Sequence, residues 1–172
     1  MYEGKLVRLR AFERNDLELN HEMVNDYDTV RGMYSGIPYP SSYEDEQQWL
    51  SQQTSFTRGE YQFAVETLDG ELIGRCGVTR LDWKNRLGEL GVALAPGSRG
   101  KGFGTDAIAV LTRFCFRELG LHKLKVSVYA FNQAAIRCYE RNGFQTEGIL
   151  KNELYRDGAW RDVVVMGRFE EN

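Results

Sequence analysis

The chain has 172 residues, of which 42% are hydrophobic, and a net charge of −3 from 22 Lys and Arg and 25 Asp and Glu. Because binding to a nucleic-acid backbone normally requires clustered positive charge, this acidic composition predicts no nucleic-acid partner. No stretch approaches the roughly 20 consecutive apolar residues of a membrane span, and residues 1–5 lack the features of a signal peptide, so we expect a cytoplasmic protein without a membrane partner.

The cysteines and histidines indicate neither a disulfide framework nor a metal site. Cys76, Cys115 and Cys138 are an odd number at wide spacing, and the chain has only two histidines and no Cys-x-x-Cys pair. Such a pattern is not typical of a disulfide scaffold or of a structural zinc site. The length, the hydrophobic content and the lack of an internal repeat or linker predict one domain over residues 1–172.

The first third of the chain is predicted to form a strand, two helices and a loop. Residues 5–10 alternate as a short strand does, and residues 13–25 show helical spacing of their apolar side chains. Two prolines and a glycine within residues 34–42 predict a loop. Ser42, followed three residues later by Asp45, is placed to cap a second helix that runs to about Thr54.

The rest of the chain is predicted to contain six strands and two helices. Residues 61–65 alternate, and Asp69-Gly70 is a strong hairpin signal. The apolar stripe of Ile108 and Leu111 predicts a helix that follows a glycine-rich segment and ends near Gly120. Further strands are predicted at 72–81, 88–95, 123–129, 144–155 and 160–169, with a helix capped by Asn132. The order of elements predicts an α+β (mixed α/β) fold.

The most informative segment is Ala-Pro-Gly-Ser-Arg-Gly-Lys-Gly-Phe-Gly-Thr at residues 95–105, between a predicted strand and a predicted helix. Glycines let the backbone approach a ligand closely, and the unpaired amides of a helix start form a site for a pyrophosphate. Arg99 and Lys101 add positive charge. The spacing fits neither the Walker loop nor the dinucleotide fingerprint. The alternative interpretation is a flexible loop before a helix.

Three segments resemble the GNAT superfamily. Its pyrophosphate loop has Arg or Gln, two residues, Gly, one residue and Gly or Ala, and Arg99, Gly102 and Gly104 match this pattern. Residues 87–96 resemble the family's fourth strand, and residues 132–144 resemble its fourth helix. The early Leu-Arg-x-x-x-x-x-Asp-Leu and the closing Gly-Ala-Trp-Arg-Asp-Val are similar to the branch of ribosomal-protein N-terminal and spermidine acetyltransferases.

This resemblance implies a GNAT fold and an acetyltransferase activity. The implied fold has a central, mostly antiparallel, twisted sheet of about seven strands flanked by about four helices, with the family's fourth and fifth strands splayed apart. The implied enzyme transfers the acetyl group of acetyl-CoA directly to a primary amine within a ternary complex. Two alternatives from other classes are a non-catalytic acyl-CoA sensor and an interaction module whose glycine loop is incidental.

The resemblance also implies which residues hold acetyl-CoA. Val92, Ala93 and Leu94 would contact the pantetheine arm, and a backbone amide near Val92 would polarise the thioester carbonyl. Asn132 would reach the same arm from the start of the following helix. The pyrophosphate would be held by Arg99, Gly100, Lys101, Gly102, Phe103, Gly104 and Thr105.

Two residues match the family's catalytic positions. A primary amine with a pKa near roughly 10 is mostly protonated at neutral pH, so a base must take its proton. Glu89 on the predicted fourth strand is the candidate base, with an outward-facing strand carboxylate as the alternative. Tyr139 matches the family's general acid for the departing thiolate, and a core aromatic is the alternative. Cys138 is interpreted as a packing residue.

The acceptor is implied to be either a peptide amino terminus or a polyamine. In this fold the first two helices and their loop line one wall of the acceptor site, so Tyr34 and Tyr39 are expected there. Six acids and one base between Glu13 and Asp28 favour a cationic acceptor, although charged helix faces are often merely solvated. Relatives are often dimers, so a homodimer is an implied partner, but no stripe in the sequence identifies its interface.

Overall fold

The computed structural model describes residues 2–33, 36–53 and 60–170. Within this part of the chain, none of the helices is both long enough and apolar enough to cross a membrane. The helices are α1 (Leu17–Asn25), α2 (Tyr27–Met33), α3 (Tyr43–Gln53), α4 (Phe103–Arg117) and α5 (Gln133–Arg141). The strands are β1 (Tyr2–Glu3), β2 (Val7–Arg10), β3 (Tyr61–Thr67), β4 (Leu72–Asp82), β5 (Leu87–Leu94), β6 (Lys123–Tyr129), β7 (Gln145–Arg156) and β8 (Ala159–Phe169).

The strands form one sheet in the order β1-β2-β3-β4-β5-β6-β8-β7. Neighbouring strands are antiparallel except for β5 and β6, which are parallel. This parallel pair covers Leu87 to Glu89 of β5, and Glu89 opposite Lys125 is its last position. Beyond Glu89, β5 continues to Leu94 without a ladder to β6 among the described residues. The predicted splay of two central strands is therefore confirmed.

Helices cover both faces of the sheet. Val65 packs with α4, whose Ile108, Leu111 and Cys115 are fully buried in the largest apolar cluster. The preceding residue, Ala64, packs instead with the amino-terminal helices, in a cluster with Phe12, Leu17 and Leu50. Since successive strand residues point to opposite faces, α4 lies on one face and the amino-terminal helices lie on the other.

The predicted mixed α/β architecture is confirmed, with two additions. The two-residue strand β1 pairs with β2 at the edge of the sheet and is too short to leave an alternating pattern. Helix α2 occupies residues for which no element was predicted. The cap of α3 is confirmed, since the Asp45 amide donates to Ser42 Oγ at 3.1 Å. Thr54, the predicted end of this helix, lies outside the described residues.

Candidate active site

The splay between β5 and β6 opens a cavity of about 620 Å³. The cavity begins three residues after Glu89, at Val92, and extends to the amino terminus of α4. Helices α2 and α5 supply the remaining walls. The cavity thus lies where an extended ligand arm can replace the missing ladder between two strands.

Nine of the eleven residues predicted to hold acetyl-CoA line this cavity. Lys101 and Phe103 do not, because the chain turns at the start of α4 and places both of them in a second cavity of about 450 Å³. Glycines on either side of Lys101 therefore face the first cavity while Lys101 does not. The nine residues are Val92, Ala93, Leu94, Arg99, Gly100, Gly102, Gly104, Thr105 and Asn132.

The amino terminus of α4 has the backbone geometry of an anion-binding site. Gly102 caps the helix with a φ of +88°, a left-handed conformation that favours glycine. The amides of the first turn lack partners within the helix, and the helix dipole gives this end partial positive charge. The Asp106 carboxylate fixes this turn to the chain start, accepting from the amides of Leu6 at 2.7 Å and Val7 at 3.0 Å. A fixed helix start meets a pyrophosphate without reorganisation.

The Arg99 side chain ties the glycine loop to α2. Its Nε donates to the carbonyl of Leu94 at 3.0 Å, and its Nη2 donates to Thr29 Oγ1 and lies 3.4 Å from Asp26 Oδ2. Hydrogen bonds from Thr29, followed by the charge of Arg99, hold the pKa of Asp26 below its usual value. The backbone of the loop, more than the Arg99 guanidinium, is therefore left to meet a phosphate.

Glu89 and Tyr139 lie just outside the cavity walls. The Glu89 carboxylate is 25% exposed and pairs with Arg80 Nη1 at 2.8 Å. The Tyr139 ring is buried and packs edge-on against Phe144, with the ring centres 5.5 Å apart. Burial raises the pKa of Tyr139, and nearby groups including Glu89 raise it further. Burial thus keeps Tyr139 as a protonated phenol at neutral pH.

Cys138 faces the cavity but is held as a thiol. Burial is the largest cause of its raised pKa, with smaller opposing effects from Thr105 and Arg141. A protonated thiol is a weak nucleophile. This geometry favours the predicted packing role, although the sequence alone did not place Cys138 in a cavity wall.

Sequence reasoning missed two groups of wall residues. On α5, the side chains of Ala134, Arg137, Cys138 and Arg141 line the cavity. They are spaced i, i+3, i+4 and i+7, which places them on one helix face, so this spacing was a signal that could have found them. The second group lies on α2 and comprises Thr29, Arg31, Gly32 and Met33.

Only some of the residues predicted for the acceptor wall line a cavity. Tyr39 is exposed and lines neither cavity, while Tyr34 lies outside the described residues. Of the acids, Asp28 lines the first cavity, and Glu22 and Asp26 line the second. The acidic stretch is therefore partly a cavity lining and partly a solvated helix surface.

The chain is similar to known acetyltransferases. Residues 7–145 match the family model described as "Acetyltransferase (GNAT) domain". The spermidine N(1)-acetyltransferase of Vibrio cholerae is 32% identical over 157 residues, 91% of this chain and 89% of the relative. That of Escherichia coli K12 is 30% identical over 164 residues, 95% of this chain and 86% of the relative.

A solved structure is also similar to this chain. The spermidine N-acetyltransferase of Vibrio cholerae in complex with CoA and spermine superposes with a TM-score of 0.86 and 29% identity, covering 95% of each chain. The predicted family and branch are confirmed by these similarities. The chain belongs to the GNAT acetyltransferase family and is an N-acetyltransferase that uses acetyl-CoA as its cosubstrate.

Proposed function

We propose that this chain, as one domain, acetylates a primary amine of a polyamine, with Glu89 as the base and Tyr139 as the general acid. The observation that carries the proposal is the position of the splay. The β5–β6 ladder ends at Glu89, and the cavity that would receive acetyl-CoA begins three residues farther along β5, at Val92. A carboxylate and a buried phenol therefore lie beside the place where the thioester would stop.

In this proposal acetyl-CoA enters as an extra strand. Its pantetheine arm runs along Val92, Ala93 and Leu94, and its pyrophosphate sits on the backbone amides at the start of α4. Arg137 and Arg141, one turn apart on α5, add positive charge for the phosphates. What supports this arrangement is that all of these residues line one cavity next to the part of β5 that does not pair with β6.

The proposed reaction is a direct transfer. Glu89 takes a proton from the ammonium group, directly or through water, and the amine lone pair then attacks the thioester carbon. The amide near Val92 stabilises the negative carbonyl oxygen of the tetrahedral intermediate. When the carbon–sulfur bond breaks, Tyr139 gives its proton to the CoA thiolate. The protonated nitrogen of the intermediate returns a proton, through water, to the Tyr139 oxygen, and the neutral acetylated amine leaves.

The polyamine acceptor rests on charge and on relatives. Residues 1–60 carry 11 acids against six bases, and Asp28 places one carboxylate in the wall of the first cavity. Two relatives are named as spermidine N(1)-acetyltransferases, and the similar solved structure contains CoA and spermine. A peptide amino terminus is the competing acceptor.

The test is to incubate the protein with acetyl-CoA and a panel of polyamines, free amino acids and short peptides with free amino termini. We expect a polyamine to gain the mass of one acetyl group, with no gain in the peptides. Acetylation of the peptides alone would contradict the proposed acceptor. Binding of acetyl-CoA without any product would instead support a sensor.

A homodimer is a separate proposal, supported by the edge of the sheet. Strand β7 is the last strand in the sheet order and exposes Ile149 and Leu150. An exposed edge strand with apolar side chains is a template for pairing with another chain. Light scattering of the wild-type protein and of Ile149→Lys tests this proposal, which predicts a dimer in the former and a monomer in the latter.

A further inference from the structure

Helix α2 forms a roof over the cofactor cavity. Five of its seven residues line the cavity. A Cβ atom added to Gly32 would lie 3.3 Å from the side-chain nitrogen of Asn132, the N-cap of α5. The other end of α2 contacts Arg99 of the glycine loop through Thr29. Because the helix reaches both sides of the cavity, its position sets the width of the opening.

This short helix is not stable by itself. Isolated helices of fewer than about 12 residues are marginal in water, and α2 has seven. Only Thr29 and Val30 are buried within it. The position of α2 therefore depends on side-chain ties to neighbouring elements.

One such tie comes from the turn between β7 and β8. The Tyr27 hydroxyl donates to Asp157 Oδ1 at 2.6 Å, and Arg31 Nη2 lies 2.8 Å from Asp157 Oδ2. Both oxygens of one carboxylate thus bind the same helix, although 126 to 130 positions separate the partners in sequence. The Arg31 guanidinium also lies over the ring of Phe131, 5.0 Å from its centre, and both of these residues line the cavity.

The hairpin itself does not need this carboxylate. Asp157 and Gly158 have φ values of +53° and +72°, as a two-residue turn of type I′ requires. Backbone pairing continues up to Arg156 and Ala159 on either side of the turn. The Asp157 side chain is therefore available for α2 while the ladder closes the hairpin.

We propose that Asp157 is a positioning residue for the acceptor, acting through α2 and Arg31. The inference rests on the proposed function, because it assumes that a cationic amine enters beside α2. Asp157 neutralises Arg31 at the opening and holds the roof at a fixed width. Without the carboxylate, the Arg31 charge keeps only its 4.0 Å contact with the exposed Asp28. The less neutralised charge repels a polyamine, so the KM for the polyamine rises.

Asp157→Asn is the sharpest variant. Asparagine tolerates the left-handed conformation and keeps an oxygen for the Tyr27 hydroxyl, but it removes the negative charge opposite Arg31. We expect the KM for spermidine to rise about three- to tenfold, as loss of a partly exposed ion pair allows. The kcat and the calorimetric Kd for acetyl-CoA should stay within about twofold of wild type.

Two further variants separate positioning from general stability. Lys151→Ala breaks an ion pair of the same 2.8 Å length in the same hairpin, with Asp162, and should leave the KM unchanged. Adding Arg31→Gln to Asp157→Asn removes the repelling charge. The KM of this double variant should therefore be lower than that of Asp157→Asn and closer to the wild-type value. Raised salt should also shrink the effect of Asp157→Asn, because the repulsion is screened.

The outcomes distinguish this inference from the proposed function. If the wild-type protein acetylates spermidine and Asp157→Asn has the KM of Lys151→Ala, the role of Asp157 is wrong while the function stands. If the wild-type protein acetylates only peptides, the polyamine proposal fails, and an unchanged peptide KM in Asp157→Asn then removes the positioning role as well. The proposal would also be overturned if Asp157→Asn and Lys151→Ala both raised the KM and both lowered the Tm. The effect on the KM would then reflect a general loss of stability.

Discussion

The two faces of the sheet hold their helices in different ways. On the α4 face, Ile108, Leu111 and Cys115 are fully buried against strand residues such as Val78 and Leu124. On the other face, α1, α2 and α3 rest on smaller apolar clusters. Partly exposed ion pairs complete the attachment of α2, namely Arg99 with Asp26 at 3.4 Å and Arg31 with Asp157 at 2.8 Å.

The difference teaches how the enzyme divides its tasks. Full burial of one large apolar side chain contributes about 1.5–3 kcal/mol, whereas a partly exposed ion pair contributes about 0–1 kcal/mol. The start of α4, where the pyrophosphate is proposed to bind, is therefore fixed by many strong contacts. The wall proposed to meet the acceptor depends on several weak contacts, so substitutions there should tune the KM rather than abolish binding.

The largest effect is expected on acetyl-CoA affinity, at the start of α4, where the pyrophosphate is proposed to bind. Gly102→Glu places a side chain in a left-handed position and a negative charge inside the cavity. We expect acetyl-CoA affinity, measured by calorimetry, to fall at least about 100-fold, or about 2.7 kcal/mol. Gly148→Glu on the edge strand is the matched control, because no atom lies within 4 Å of an added Cβ there. Normal affinity in Gly102→Glu would sink the assignment of the loop.

The second largest effect is expected on the catalytic rate, at Glu89, where the β5–β6 ladder ends. Glu89→Gln keeps the shape of the side chain and removes the proposed base. We expect kcat/KM at neutral pH to fall about 100-fold, with the Kd for acetyl-CoA unchanged. The exposed Glu153 on β7 supplies a control in the form of Glu153→Gln. Equal rates in Glu89→Gln and wild type would leave Glu89 as a strand carboxylate paired with Arg80.

The difference between the two faces also explains which parts of the structure could be predicted from the sequence. The Gly-rich loop, β5 and the Asn132 cap were predicted from local patterns, and the Ala135 amide indeed donates to Asn132 Oδ1 at 3.1 Å. Helix α2 was missed because a seven-residue helix held by distant partners leaves little apolar periodicity.

Other features could not be predicted from the sequence because they depend on the direction of the backbone and on the topology of the sheet. Lys101 and Phe103 follow the charge and glycine pattern of the loop, yet the turn at Gly102 directs both toward the second cavity. The tie between Asp157 and α2 joins residues from opposite ends of the chain. No local pattern encodes such a contact, because the topology of the sheet creates it.

A smaller effect is expected for the general acid. Tyr139→Phe should lower kcat about tenfold and leave the acetyl-CoA Kd within about twofold. Because burial raises the pKa of Tyr139 above its usual value of 10.0, its deprotonation should cause no loss of wild-type rate below about pH 10. Tyr61→Phe, in a ring that packs on Phe114 and lines neither cavity, should have wild-type rates. A wild-type kcat in Tyr139→Phe would make Tyr139 a core aromatic.

The smallest effect is expected on the free energy of unfolding, from loss of the ion pair between Asp26 and Arg99. Asp26→Asn keeps an oxygen that caps α2 through the Thr29 amide but loses the charge that faces Arg99. We expect the free energy of unfolding in urea to fall by about 0.5 kcal/mol at pH 7, since the pair is partly exposed and screened. The exposed Asp28→Asn serves as the control, because its contact with Arg31 is 4.0 Å long.

The pH dependence of this difference gives the sharper result. The folded-state pKa of Asp26 lies below its usual value of 3.8, so the folded chain binds this proton less readily than the unfolded chain does. Its stabilisation is thus fully present about one pH unit above the usual value of 3.8 and is lost as the pH falls through the lowered folded pKa. The wild-type advantage over Asp26→Asn should stay constant from pH 7 to about pH 5 and shrink on further acidification. An advantage that instead grew in acid would mean that Asp26 is destabilised as a charged group, and the tie between Arg99 and α2 would then hold through Thr29 alone.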